Sequence, residues 1–315
     1  MTALSDELKI LGVAIVTVVI AASLTGRVLK LAIAHDGPHP AIDNLNDRIQ
    51  AWWGIVLLVA LAYLAGRTGL SLLFALCAVL ALREFIGVAG KARRLLPAEP
   101  IACWIVLPLQ YVLFSLDANR LYSFGLVPLY ALVVLPVMHK VGGNDLAASM
   151  QLRRLQQGLM ICGFCFSHAA ALLTLKVSGQ TDNRLMLLFL LVVVQSSDVA
   201  QYIWGKLAGR RLIAPAVSPS KTLEGTLGGM LTATAIGAAL AWMTPFTVAQ
   251  AAACSMALTV AGFGGGILMS ALKRERGIKD WGNTIKGHGG VLDRIDSLCF
   301  SAPLFFYVLY FGWSN

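Results

Sequence analysis

The sequence predicts an all-α, polytopic integral membrane protein with about ten transmembrane helices and no separate soluble domain. Its 315 residues are 57% hydrophobic and only 13% charged, and the mean hydropathy is +0.74. Soluble domains carry about 25% charged residues. The apolar residues occur in runs of roughly 18–22, a length that crosses a bilayer as a helix. Helices are expected because in lipid they satisfy their own backbone hydrogen-bonding groups.

Ten apolar runs account for the predicted spans. Their limits are 8–25, 51–66, 69–89, 100–116, 121–138, 156–175, 185–204, 226–243, 248–272 and 296–312. The first run follows the acidic residues Asp6 and Glu7 and lacks a small-residue cleavage site, so we expect a retained helix and not a cleaved signal. Residues 1–315 are predicted to form one membrane domain, in which residues 1–180 supply scaffold and lipid-facing helices.

Basic residues are distributed unevenly between the two sides that ten spans define. Nineteen of the 25 lysines and arginines lie in one alternate set of loops, namely 26–50, 90–99, 139–155, 205–225 and 273–295. The positive-inside rule therefore predicts that these loops are cytoplasmic and that both termini lie on the opposite side. We expect the protein in the inner (plasma) membrane, in contact with membrane lipids.

The net charge of +9 accordingly describes a basic cytoplasmic face. Such a face suits anionic lipid headgroups or a polyphosphate. Nucleic acid is not expected as a partner, because the chain has no basic helix with interleaved aromatic residues and no recognisable nucleic-acid module.

Ionisable residues at membrane depth are candidates for function because they are costly there. Asp198 falls near the cytoplasmic end of the seventh run, where we favour a functional role over an interfacial aspartate that reaches water. Arg83 and Glu84 occur together near the cytoplasmic end of the third run. We predict an ion pair there, and expect it to serve helix packing or to support a site more than to take part in chemistry.

The segment "SPSKTLEG" at residues 218–225 has two interpretations that its spacing favours equally. One is a capped helix start, in which Glu224 suits the positive end of the helix. The other is an anion site built from Lys221, the hydroxyls of Ser218 and Thr222, and backbone N–H groups.

The stretch "KDWGNTIKGHGGVLDRIDS" at residues 279–297 combines three aspartates with three basic residues, a histidine and four glycines. Basic residues alone would fit positive-inside anchors at the membrane surface. That interpretation does not explain Asp280, Asp293 and Asp296, because an anchor gains nothing from acidic residues.

Two of these aspartates are expected to share one helix face. Asp293 and Asp296 are spaced i, i+3 on the last helix, and like charges this close repel unless a cation lies between them. Mg²⁺ is often held by one or two carboxylates plus substrate phosphates. A backbone that contains Gly289 and Gly290 can approach a ligand closely. The residues therefore predict a phosphoryl or nucleotidyl transfer site at the cytoplasmic membrane surface.

At these residues the sequence resembles the phosphatidate cytidylyltransferase family, the CDP-diacylglycerol synthases. The family signature is a Ser-x-x-Lys-Arg run, Lys-Asp, a glycine, and His-Gly-Gly-x-x-Asp-Arg-x-Asp. Its counterparts here are Ser270, Lys273, Arg274, Lys279, Asp280, Gly282, His288, Gly289, Gly290, Asp293, Arg294 and Asp296. The 218–225 segment, the region from Asp198 to Tyr202 and, more weakly, Arg83 with Glu84 also resemble family motifs. The signature region is thus residues 195–300.

The resemblance implies that CTP reacts with phosphatidic acid to give CDP-diacylglycerol and pyrophosphate. On this basis the catalytic residues are Asp280, Asp293, Asp296, Lys279, His288 and Arg294, although a structural hydrogen bond is an equal alternative for the histidine. Substrate would be bound by Ser218, Lys221, Thr222, Glu224, Lys273, Arg274, Gly289 and Gly290. Mg²⁺ would be held by Asp293, Asp296 and Asp198, and a second cation is left open. Family analogy alone suggests a homodimer.

Two departures from the family pattern concern the substrate and the metal. Lys286 stands where the family usually has proline, and Gly266 and Met269 replace acidic residues of many bacterial members, one of which resembles a metal ligand. These differences keep open a second hypothesis, the same chemistry on another lipid phosphate, as in glycolipid synthesis. A lipid or polyphosphate transporter is a third hypothesis. It predicts charged or broken helices near the bilayer midplane, whereas the charges here cluster at one face.

Overall fold

The computed structural model describes residues 6–33, 35, 37–87, 98–116, 120–141, 146–178, 182–285 and 289–314. Within these ranges the chain forms ten long helices, and the predicted all-α polytopic fold is confirmed. Seven of the helices are uninterrupted: α1 Asp6–Ala32, α2 Pro40–Leu64, α3 Gly66–Gly87, α7 Arg184–Ala208, α8 Leu223–Ala239, α9 Val248–Glu275 and α10 Leu292–Gly312.

The other three helices, α4 to α6, each contain a π-helical segment. In α4 and α5 a proline, Pro108 or Pro136, stands two residues after the end of this segment and has no N–H to continue the hydrogen-bond ladder of the helix. The successive segments are Ala98–Ile101, Ala102–Val106 (π) and Leu107–Ser115 in α4; Arg120–Leu129, Tyr130–Val134 (π) and Leu135–Val141 in α5; Leu146–Gly158, Leu159–Cys165 (π), Phe166–Ala171 and a 3₁₀ turn, Leu172–Thr174, in α6.

Eight of the ten helices are long and apolar enough to cross a membrane. The exceptions are α5, whose apolar segment is Phe124–Lys140, and α8, which has 17 residues. A 17-residue helix is about 25 Å long, which is less than the roughly 30 Å of a bilayer's hydrocarbon core. Each of the ten predicted runs forms a helix in the described residues, but only these eight have the length and hydropathy of a membrane span, fewer than the ten expected from the sequence.

A short antiparallel hairpin that the sequence does not predict precedes α8. Its strands are β1 (Leu212–Ala214) and β2 (Ser218–Thr222), and their register contains one irregularity. The segment is too short and too polar to show the alternation that marks a strand. Pairing satisfies backbone groups that would otherwise lack partners beside the helix ends. The hairpin places Lys221 two residues before the start of α8.

The C-terminal helices α7 to α10 pack against one another, and α10 also contacts α3 and α6. Close packing of α7 on α8 requires glycine, since a Cβ at Gly229 would lie 2.7 Å from the backbone nitrogen of Gln201. By contrast, most of the apolar segments of α1 and α2 are exposed. Their exposure fits the lipid-facing role expected for this part of the chain.

An ion pair at the start of α7 connects that helix to the C-terminal end of α2. Arg184 Nη2 donates to Asp182 Oδ2 over 2.6 Å, and Arg184 Nη1 donates to the backbone oxygen of Tyr63 over 3.3 Å. The Tyr63 hydroxyl donates to Asp182 over 3.3 Å. Burial raises the pKa of the Asp182 carboxyl, but hydrogen bonds and charge from Arg184 outweigh burial and hold that pKa below its usual range.

Asp182→Asn should lower the stability of the purified protein at neutral pH by about 1–3 kcal/mol, because it weakens a charged hydrogen-bond network. The folded carboxyl has the lower pKa, so its stabilisation is complete at neutral pH and is lost as the pH falls through the folded pKa. Thermal melting in detergent, followed from neutral pH downwards, measures both effects. Equal melting of wild type and variant at neutral pH would contradict the prediction.

Candidate active site

Four chain segments bring charged side chains together at one end of the helix bundle. They are the second half of α7, β2, the end of α9 and the first two turns of α10. Asp198 of α7 interacts electrostatically with Asp296 and Arg294 of α10. Lys221 of β2 is attracted by the charges of Asp198 and Asp296 and repelled by the charge of Lys273 on α9. The fold therefore assembles candidate residues that are far apart in the sequence.

The Asp293 carboxylate is held by three donors from the protein. Lys273 Nζ lies 2.8 Å from Asp293 Oδ1. Asp293 Oδ2 accepts the backbone N–H groups of Trp281 and Gly290 over 2.8 and 2.9 Å. The side chains of Asp293 and Lys273 are only 3% and 12% exposed. Asp293 thus fastens the loop between α9 and α10, which we call the signature loop, to the start of α10. Its role as a metal ligand stays a prediction.

Asp198 and Asp296, which we call the acidic pair, are the two other carboxylates at the centre of the site. Both are partly buried. Asp296 Oδ1 accepts the backbone N–H and the hydroxyl of Ser297 over 2.8 and 3.5 Å. Among the described residues, neither carboxylate forms a direct salt bridge. Their oxygens consequently have more capacity for a ligand than those of Asp293.

Lys221 lies close to the acidic pair, on the side where α9 carries a glycine. Its Nζ is 4.8 Å from the centre of the Phe263 ring, and a Cβ added to Gly266 would be 3.0 Å from that Nζ. Gly266 thus provides space for the ammonium group at a position where the resemblance leads one to expect an acid. Met269 is fully buried in the core. Burial lowers the pKa of Lys221, and the carboxylates of the acidic pair oppose this shift.

The remaining polar residues of the 218–225 segment serve the hairpin and the helix start. Thr222 Oγ1 accepts the backbone N–H of Gly225 over 3.2 Å and so caps α8. Glu224 Oε2 accepts the backbone N–H groups of Arg210 and Arg211 over 2.9 and 3.1 Å, and these hydrogen bonds lower the pKa of Glu224. The contacts favour the interpretation of this part as a capped helix start, and substrate binding by these two side chains stays a prediction.

Three further predicted binding or catalytic residues lie around the hairpin and the loop after α9. Ser218 is buried at the first position of β2. Arg274 donates to the backbone oxygens of Val217 and Ile278 over 3.2 and 3.1 Å, and so connects the hairpin to this loop. Lys279 is exposed. Of the three, Arg274 has contacts that give it a structural role beside the site.

In the part of the signature loop that we call the glycine loop, residues 282–290, Gly289 lies close to Asp293. Gly289 has a φ of +83°, a conformation that favours glycine, and a Cβ there would lie 2.9 Å from Asp293 Oδ2 and 3.2 Å from Asp280 Cβ. Asp280 is exposed beside this loop. His288 and Lys286 lie outside the residues that the structure describes, so their roles stay predictions.

Comparison with known proteins identifies the family. Residues 46–311 match the cytidylyltransferase family. The chain belongs to this family. The cytidylyltransferase is 36% identical over 263 residues to YnbB of Escherichia coli (strain K12), an uncharacterised protein, and the match covers 83% of this chain and 86% of YnbB.

Two further relatives are named phosphatidate cytidylyltransferase. The protein of Bacillus subtilis (strain 168) is 32% identical over 213 residues, which cover 65% of this chain and 74% of the relative. That of Staphylococcus saprophyticus (strain ATCC 15305) is 36% identical over 120 residues, which cover 38% and 46%. The protein is accordingly a multi-pass membrane nucleotidyltransferase, and family membership argues against the transporter hypothesis.

The described part of the cytidylyltransferase offers fewer grouped metal ligands than the sequence suggests. Among those residues, no three His, Cys, Asp or Glu side chains are close enough together to hold a metal ion. Mg²⁺, however, commonly uses one or two carboxylates together with substrate phosphates and water. The acidic pair fits this requirement, whereas the bonds already made by Asp293 leave it less suited.

The predicted ion pair between Arg83 and Glu84 is wrong. In the part of the cytidylyltransferase that the structure describes, Glu84 accepts hydrogen bonds from Thr284 and from the start of α10, while Arg83 lies 5.9 Å from the Trp104 ring. Sequence adjacency suggested the pair, but neighbouring residues on a helix point about 100° apart. The sequence signal for the true contact is Gly282, whose missing side chain admits the Glu84 carboxylate.

Lys273→Met should destabilise the enzyme by about 3–5 kcal/mol, because it leaves the Asp293 carboxylate buried without its cation. Adding Asp293→Asn to this variant should recover part of the loss, since the buried charge is removed. Thermal melting in detergent gives the order wild type, double variant, single variant.

Lys9→Met is the matched control, because Lys9 and Asp6 form an exposed ion pair on α1. That variant should melt like wild type. A Lys273→Met protein as stable as the control would show that the buried pair contributes nothing.

Proposed function

We propose that this cytidylyltransferase catalyses the reaction of CTP with phosphatidic acid to give CDP-diacylglycerol and pyrophosphate. The observation that carries the proposal is the acidic pair, Asp198 and Asp296, which lies beside Lys221 at the end of the bundle that holds the signature loop. Ligands for a divalent cation and a fixed cation for phosphate thus occur together. The names of the Bacillus and Staphylococcus relatives support phosphatidic acid as the acceptor.

In the proposed reaction, a phosphate oxygen of phosphatidic acid attacks the α-phosphorus of CTP and the bond to pyrophosphate breaks. The nucleophile is already an anion, so no strong general base is required. The main obstacle is electrostatic, because two anions must approach and negative charge must move onto the leaving group. Lys221 and Arg294 would bind phosphate oxygens beside the acidic pair, whereas Lys273 is already engaged with Asp293.

Mg²⁺ held by the acidic pair would neutralise charge on the phosphates of CTP. The two carboxylates come from different helices, so their separation depends on the packing of α7 against α10. Ser297, whose backbone N–H and hydroxyl both donate to Asp296, would keep that carboxylate in a fixed orientation. A homodimer remains a prediction from family analogy, and a second cation is left open.

We further propose that the reaction occurs at the cytoplasmic face of the inner membrane. Loops 205–225 and 273–295 adjoin the site and belong to the basic set of loops. On this orientation both termini lie on the opposite side. The acyl chains of the acceptor would stay in the lipid while its phosphate reaches the charged end of the bundle.

The same transfer to a different lipid phosphate is a second candidate. Gly266 favours it, because a lysine ammonium occupies the space where the family resemblance suggests an acid. Purified enzyme with radiolabelled CTP, tested against phosphatidic acid, lysophosphatidic acid and a polyprenyl phosphate, would discriminate between acceptors. A strong preference for one of the other two would replace phosphatidic acid in the proposal.

Asp198→Asn and Asp296→Asn should each lower the rate of transfer by about 10²-fold or more and raise the Mg²⁺ concentration needed for half-maximal rate. Asp293→Asn should lower the melting temperature and leave that Mg²⁺ requirement unchanged, because Asp293 is bonded to the protein. Initial rates with labelled CTP and phosphatidic acid in micelles, over a series of Mg²⁺ concentrations, measure these effects.

Asp6→Asn serves as the control, since this carboxylate lies on the exposed surface of α1. If both variants of the acidic pair kept the wild-type rate and Mg²⁺ requirement, the proposed metal site would be wrong. If only Asp293→Asn shifted the requirement, the metal would belong on Asp293.

A further inference from the structure

Glu84 at the end of α3 is hydrogen-bonded to both ends of the glycine loop. Its Oε1 accepts the Thr284 hydroxyl over 2.6 Å and the backbone N–H of Val291 over 3.0 Å. Its Oε2 accepts the backbone N–H of Leu292 over 2.9 Å. One carboxylate from the N-terminal half of the chain therefore holds three groups of the signature region, about 200 residues further on.

The two backbone contacts are at the N-terminus of α10, where a helix has N–H groups without partners and a partial positive charge. Val291, which precedes the helix, makes no side-chain cap of its own. Glu84 supplies the missing acceptor from another helix. It thereby fixes the first turn of α10 relative to α3.

Glycines next to Glu84 make this contact sterically feasible. A Cβ at Gly282 would lie 2.8 Å from Glu84 Oε1, and a Cβ at Gly290 would lie 2.7 Å from Glu84 Cδ. Real Cβ atoms essentially never approach another atom this closely, so a side chain at either position would displace the carboxylate or the loop. Two of the glycines of the signature region thus serve an intramolecular carboxylate.

A second contact ties the neighbouring residue of α3 to the beginning of the same loop. The Arg276 side chain donates to the backbone oxygen of Phe85 over 2.8 Å and lies 4.0 Å above the Phe85 ring. Trp281 stacks on the same ring with a centroid distance of 4.8 Å. The end of α3 therefore supports the loop from Arg276 to Leu292 at its start, in its middle and at its end.

We propose that Glu84 is a positioning residue for cytidylyl transfer, which holds the glycine loop and the first turns of α10 in the arrangement that the reaction requires. Arg294 and Asp296 lie within those turns, two and four residues beyond Leu292. A displacement of about 1 Å in a catalytic site can cost about 10²-fold in rate. The inference rests on the proposed function of Asp296 and Arg294, and Glu84 itself need not touch either substrate.

Three variants of the full-length protein test the proposal in graded steps. Glu84→Ala removes all three acceptor contacts and should lower kcat/KM by about 10²-fold. Glu84→Gln keeps one acceptor oxygen and should give a smaller loss. Thr284→Val removes one hydroxyl donor and leaves both backbone contacts, so its loss should be the smallest. Rates are measured with labelled CTP and phosphatidic acid on monodisperse protein.

Hydrogen–deuterium exchange supplies a readout independent of activity. In Glu84→Ala and Glu84→Gln, amide exchange should accelerate in residues 281–294 and stay at the wild-type rate in the β1–β2 hairpin. Asp182→Asn is the matched control, because it removes a carboxylate from a network at the far end of α7, about 21 Å along the helix from Asp198. It should lower the melting temperature and keep kcat/KM within about twofold of wild type.

Each outcome decides a separate point. Wild-type kcat/KM and wild-type exchange in Glu84→Gln would overturn the positioning role, even if Glu84→Ala failed to fold. If the Glu84 variants, like the control, had a lower melting temperature and an unchanged kcat/KM, Glu84 would be a structural residue and the positioning role would be wrong. Absence of transfer by the wild-type enzyme to any lipid phosphate would instead refute the proposed function, while the exchange result would still report on the contact.

Discussion

The buried contact between Lys273 and Asp293 is the interaction on which the arrangement of the site depends. Burying two charges is expensive and is recovered only when the geometry is good and the remaining hydrogen-bonding capacity is satisfied. Here the ion pair is 2.8 Å long and the second carboxylate oxygen accepts two backbone N–H groups. These bonds join α9, the glycine loop and α10 at one point. The orientation of Asp296, one turn further along α10, follows from that junction.

Charge balance explains how such a site can lie partly buried beside a membrane. Isolated charges at this depth are costly, but the three carboxylates occur with three cations drawn from neighbouring elements. Those six residues are Asp198, Asp293, Asp296, Lys221, Lys273 and Arg294. The hairpin before α8 matters for this balance, because it brings Lys221 to the two carboxylates that Lys273 does not neutralise directly.

The sequence predicted the helices and most members of the site because both signals are local. Apolar runs give the helices, and the charged loops give the candidate residues. The division of roles between Asp293 and Asp296 could not be predicted, since their i, i+3 spacing implies a shared face but not which donors each carboxylate meets. The pairing of Glu84 with its neighbour Arg83 failed similarly, because closeness in sequence does not show which donors a carboxylate meets. Its true partners lie about 200 residues away, and only the packing of α3 on α10 brings them together.

The glycines of the signature region have a physical meaning that their flexibility alone does not convey. A Cβ would come within 3.0 Å of Lys221 Nζ at Gly266, within 2.8 Å of the Glu84 carboxylate at Gly282 and within 2.9 Å of Asp293 Oδ2 at Gly289. At each position, glycine leaves space for the charged side chain of another residue. A glycine in such a loop is usually taken as a point of ligand approach. In this enzyme the glycines also mark the positions where charged side chains of the protein itself pack closely. A larger residue at such a glycine would displace the charged group next to it.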